Sequence, residues 1–106
     1  MAVHFGKIDT YTVNVLSPNP YAGKRLMSLA GVFGRASLWF LPDDAPLPDN
    51  RKRSNQEVFD VYYPMAAWAA ILDVLRNETP VHFNYQDTSN AAQIYTGSEP
   101  VGEEES

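Results

Sequence analysis

Helical spacing occurs in one place only. Between Pro64 and Arg76, Met65, Trp68, Leu72 and Leu75 recur at intervals of three and four, and Ala67, Ile71 and Val74 add a second stripe. Pro64 suits a first helical turn and Arg76 complements the dipole at the last one. Asp73 is the only charge before Arg76, and Ala66, Ala67, Ala69 and Ala70 leave room for another backbone. Such a helix is expected to be buried on more than one side.

The remaining apolar segments alternate with a period of two or are bounded by turn residues. Lys7 to Leu16 reads as a first strand, with Tyr11, Val13 and Val15 set against Thr10, Thr12 and Asn14. Ser17-Pro18-Asn19-Pro20 ends it, because proline cannot donate to a ladder. Lys24–Val32 and Arg35–Leu41 read as a hairpin turning near Phe33-Gly34. Pro42 to Glu57, with three prolines and the Arg51-Lys52-Arg53 run, is long for a connection and points to a mobile or functional loop. Val58–Tyr63 follows as a strand. After the helix, Val81–Gln86 and Ala91–Thr96 form a second hairpin around Asp87-Thr88-Ser89-Asn90.

The predicted order is β-β-β-β-α-β-β. It places the chain in the α+β class, as a small, strongly curved antiparallel sheet or barrel-like body of about six strands with one mostly buried helix. The alternative is a βαβ crossover within a mixed sheet, carried by the helix.

At 106 residues the chain has one domain's worth of sequence. Residues 1–97 are assigned to a single α+β domain, and 98–106 to an acidic tail that is not expected to fold. The formal charge of −5 resides mostly in that tail, which holds Glu99, Glu103, Glu104 and Glu105 and no base. Residues 1–97 carry nine acids against eight bases, a net of −1. General attraction to nucleic acid is therefore weak, and only a local patch of bases could supply it.

There is no cysteine, which excludes disulfides, thiolate nucleophiles and zinc–thiolate sites. The glycines form neither GxGxxG nor GxxxxGK[ST], so no nucleotide cradle or cofactor is expected. His4 and His82 lack the spacing of metal ligands, and no metal site is expected; His4 is placed in a loose N-terminal segment and His82 on a polar strand face. Ser28 or Ser37 can be grouped with His82 and Asp60, but no motif joins them, and Asp9, Asp60 and Asp73 read as solvated carboxylates. The expectation is a protein that is not an enzyme.

Two kinds of surface remain. Trp39 and Leu41 occupy the second face of an already apolar strand, and with Tyr62 and Trp68 they form a candidate interaction surface. A homo-oligomer, a dimer or higher, follows as the leading expectation. The alternative is a single-stranded nucleic-acid surface in which strand aromatics, including Tyr95, stack on bases while Arg25, Arg35, Arg51, Lys52 and Arg53 meet phosphates. Met1–Thr10 does not read as a targeting signal, and the apolar run Met65–Leu72 is far below the ~18 residues of a membrane span. The expected location is cytoplasmic, without a membrane partner.

Overall fold

The computed structural model describes residues 3–17 and 23–97. The acidic tail Ser98–Ser106 and most of the Ser17–Pro20 break lie outside them. The described chain is α+β: a curled seven-stranded sheet, shaped as a half-barrel, with one short helix. The strands are β1 (Val3–Val15), β2 (Arg25–Gly31), β3 (Gly34–Leu41), β4 (Arg51–Lys52), β5 (Val58–Pro64), β6 (Val81–Gln86) and β7 (Ala92–Thr96). A 3₁₀ turn, Met65–Ala67, leads into helix α1, Trp68–Asn77.

The sheet order is β4-β5-β3-β2-β1-β6-β7. All neighbours run antiparallel except β3 and β5. The sheet is therefore mixed, and the parallel pair is made by the loop 42–57 rather than by the helix. That loop also carries β4, a two-residue strand too short for alternation to reveal. Helix α1 joins β5 to β6, which are separated in the sheet by β3, β2 and β1.

β1 starts four residues earlier than its sequence pattern indicates. Its N-terminal half pairs with β6, from Val3↔Gln86 to Lys7↔His82, and its C-terminal half pairs with β2, from Ile8↔Gly31 to Val15↔Arg25. The register shifts between Ile8 and Thr10, so Asp9 sits in a bulge where the strand changes partner. A bulge adds local bend and twist, which suits the corner of a curled sheet. His4 is thus a ladder residue opposite Tyr85, not part of a loose segment.

Inward-facing side chains build one core. Met27 and Leu29 of β2, Leu38 and Phe40 of β3, Phe59 and Val61 of β5 and Val81, Phe83 and Tyr85 of β6 are all buried. The alternation Val81, Phe83, Tyr85 is inward as its sequence implies, and the Tyr85 hydroxyl reaches the rim to donate to Asn90 Oδ1 at 2.7 Å. Phe33 folds in from the two-residue β2–β3 turn to meet Phe83, with ring centroids 4.8 Å apart.

The helix is covered on one side, not on several. Leu75 is its one buried residue, while Trp68, Ile71, Leu72 and Val74 are half-buried against the core. At about 100° per residue the two apolar stripes adjoin, making a single face roughly 160° wide. Ala69, Ala70 and Asp73 stand on the solvent side, where alanine exposes little apolar area.

Gly34 fixes the approach of β3 to β5. Its φ of +113° suits glycine, and a Cβ there would collide with the Glu57 carbonyl, the group that accepts the Arg35 N–H at 2.9 Å. Gly34→Ala is expected to cost about 1–3 kcal/mol of unfolding free energy. Gly97→Ala, whose Cβ would only touch Pro80 at 3.9 Å, should stay within about 0.5 kcal/mol of wild type in the same urea titrations.

Candidate functional site

In the parallel register Ser37 stands beside Asp60, Trp39 beside Tyr62 and Leu41 beside Pro64. With Leu38, Phe40, Phe59 and Val61 turned inward, Trp39, Leu41, Asp60 and Tyr62 face the opposite, outer side. The loop 42–57 passes over this side and encloses a cleft of about 260 Å³. Trp39, Leu41, Pro48 and Tyr62 supply its apolar lining; Lys24, Arg51, Arg53 and Asp60 supply its charge.

Asp60 organises the cleft. It is 2% exposed, against the expectation that a polar residue on an alternating strand is solvated. Arg53 donates to it twice, Nε to Oδ2 and Nη2 to Oδ1, each at 2.9 Å. Trp39 Nε1 donates to Oδ1 at 3.2 Å, and Arg51 Nε lies 3.4 Å from Oδ2. The fork geometry of the guanidinium suits a carboxylate and holds both groups in plane. Through Asp60, one arginine and one indole are fixed in orientation on the same face.

The Arg53 hydrogen bonds hold the Asp60 carboxyl below the usual aspartate range; burial works against them, and the Trp39 hydrogen bond and the charges of Arg53 and Arg51 add to the lowering. Arg53 is raised in turn, chiefly by its hydrogen bond to Asp60. Three cationic side chains meet one carboxylate in the cleft, a local excess of two positive charges on a body whose net charge is −1.

The loop that roofs the cleft is fastened along its length. Asp43 Oδ1 accepts the Ala66 N–H at 2.8 Å. Asn50 Oδ1 accepts the Tyr62 N–H at 2.9 Å, and Asn50 Nδ2 donates to the Asn90 carbonyl at 3.1 Å. Arg53 N–H donates to the Val58 carbonyl at 2.9 Å. Asn50 therefore ties the outer edge of the sheet to the β6–β7 turn.

The residues singled out by sequence divide between separate places. Trp39, Leu41 and Tyr62 come together in the cleft, joined by Arg51 and Arg53. Leu41 is 8% exposed, so the apolar surplus on β3 is covered within the chain by its own loop. Trp68 lies on the helix instead, edge-on to Phe40 at 4.9 Å, with the Arg25 guanidinium 5.2 Å from its ring. Lys52 turns to Glu57 at 4.0 Å. Arg35 is exposed at the start of β3, and Tyr95 stacks on His82 at 5.2 Å on the far half of the sheet. Lys24 and Pro48 joined the cleft without any sequence signal; both act through the path of the loops.

His82 lies on β6, three strands from Ser37 and four from Asp60, so that grouping is not assembled. His4 directs Nε2 to Asp87 at 3.0 Å and Nδ1 to Glu57 at 3.5 Å. Among the described residues no three His, Asp or Glu side chains form a metal-binding group, and no helix is long and apolar enough to cross a membrane.

Removing Arg53 strands a buried carboxylate. Because Arg53 is 40% exposed and Arg51 remains nearby, Arg53→Ala is expected to cost about 2–3 kcal/mol, below the range for a wholly buried pair. A lowered folded pKa means the Asp60 contribution is present above the unfolded value near pH 4 and fades as pH falls through the folded value. Urea titrations from pH 7 to 2.5 should show wild type and Asp60→Asn separated by a constant margin at neutral pH, narrowing below about pH 4. A margin that widens toward acid would contradict this assignment.

No protein-family model, no curated protein and no solved structure matches this chain, and the cleft is to be understood from its own residues.

Proposed function

We propose that this chain is a non-enzymatic binding domain whose ligand is a nucleotide, seated in the cleft on β3 and β5. The observation that supports this is the pairing of two aromatic side chains, Trp39 and Tyr62, with a local excess of cations from Lys24 and Arg51. Neighbouring strands are ~4.8 Å apart, so the two side chains stand next to each other on the sheet. A flat base finds apolar ring surface there, and its phosphate finds the two cations not engaged by the bidentate pair. Arg53 is committed to Asp60 and acts by holding Trp39 and the carboxylate in place.

Trp39 reports on the cleft by fluorescence. Titration with adenosine monophosphate at low salt should give saturable quenching that Trp39→Phe abolishes. The Lys24→Ala, Arg51→Ala double variant should bind about tenfold more weakly and lose part of the salt dependence. Adenosine without phosphate should behave like that double variant. Absence of saturable quenching at millimolar nucleotide rejects the proposal.

Self-association is a second reading, now supported by a different surface. Val3 and Phe5 project from the outer face of β1 at 45% and 63% exposure, an apolar pair next to the polar Asn84 and Gln86 of β6. A symmetric dimer through this face predicts a light-scattering mass of about twice the 11.9 kDa chain, reduced to the monomer by Phe5→Glu. A monomeric mass at high micromolar concentration removes it.

A further inference from the structure

A second hollow, of about 450 Å³, adjoins the cleft and shares Tyr62 and Pro48 with it. The two hollows meet at Tyr62 and Pro48. Their chemistry differs. The first half is aromatic and cationic; the second is lined by Asn50, Asn90, Ser89 and Asp49, which offer amides, a hydroxyl and a carboxylate.

We infer that the two hollows act as one groove that takes a single strand of nucleic acid across Tyr62, with one nucleotide in the cationic half and the base of the next in the amide half. This rests on the nucleotide reading above. The amide half has no cation among its lining residues and includes Asp49, so it is a poor place for a phosphate. Asn90 Oδ1 accepts from Tyr85 and Ser89 Oγ from the Ala91 N–H, which leaves the Asn90 side-chain NH2 and the Ser89 O–H as donors for the acceptor edge of an unpaired base. Asn50 spans both functions: its side chain fixes the Tyr62 backbone and the Asn90 carbonyl, which holds the two halves in register. Both ends are accessible, at the 67% exposed Arg51 on one side and at exposed Ser89 and Asn90 on the other. A polymer can pass through such a groove, whereas a free mononucleotide uses half of it.

The test compares chain lengths on the intact protein by Trp39 fluorescence, using thymidine monophosphate, its 5′-phosphorylated dinucleotide and an eight-residue thymidine strand. The dinucleotide should bind about tenfold tighter than the monomer, the gain expected when one further base is held in the amide half. Ser89→Glu places a second carboxylate in the amide half and should return the dinucleotide to monomer affinity without changing the monomer. Asp49→Lys should tighten the dinucleotide and the longer strand and leave the monomer unaltered, a gain that misfolding cannot imitate. Equal affinity for monomer and dinucleotide overturns this inference and leaves the nucleotide reading standing. Failure of all three ligands to bind overturns both. Saturation by an oligoglutamate peptide that nucleotides do not displace also overturns both, in favour of an acidic protein partner.

Discussion

A carboxylate with 2% of its surface exposed has to be matched by its surroundings, and Asp60 is matched by three side chains from two segments of the chain, Trp39 of β3 and Arg51 and Arg53 of the long loop. Breaking up such an ion pair is costly, yet its net contribution to stability is small once desolvation is counted. What it provides is geometry. Arg53 comes from the end of the long loop, Trp39 from β3 and Asp60 from β5, so a single group fixes the loop to the sheet and the indole to the loop. A lysine at 53 would bring charge without the fork, and an apolar residue at 60 would suit the strand while freeing both partners. The cleft exists because a polar residue was placed where the strand pattern would accommodate a valine.

A second set of polar contacts closes the half-barrel where no ladder does. Asn50 reaches Asn90, which itself adopts a positive φ of 60° and receives the Tyr85 hydroxyl. His4 lies between Asp87 and Glu57, within 5.2 Å of the Phe59 ring. These side chains link the first half of the sheet to the last at one end of the core. Backbone hydrogen bonds curl the sheet; side chains hold its rims at a fixed separation.

Much of this architecture was legible in the residues. The period-two segments from Tyr11 to Val15, Arg35 to Leu41 and Val81 to Tyr85 became strands, and the one helical stretch became the helix. What escaped was whatever depends on a distant partner. Asp60 looks solvated beside Val61 and Tyr62, because its burial requires Arg53 to fold back across a turn. The parallel pairing of β3 with β5 is invisible to periodicity, which carries no strand direction. The two helix stripes look like separate faces in the linear sequence, although their angular positions merge into one. Val3 to Gly6 lacks an apolar alternation that points inward, since the core side of that segment is His4 and Gly6 and the exposed side is Val3 and Phe5. Within the cleft, Trp39, Leu41, Tyr62, Arg51 and Arg53 each stand out in the sequence but point to two different surfaces, and only the fold places them on one.

The parallel pair has a further consequence, for the order in which the molecule acquires its parts. A hairpin such as β2–β3 closes through two residues, but β5 cannot join β3 until the sixteen residues from Pro42 to Glu57 have doubled back. Closing that segment loses chain entropy before any contact compensates it. The edge made of β4 and β5 therefore docks as one cooperative piece, and the cleft is completed in the same event. Amides of Arg51, Lys52 and Arg53 should exchange with solvent as a group, and the roof of the cleft is then also the segment of the sheet first to come away.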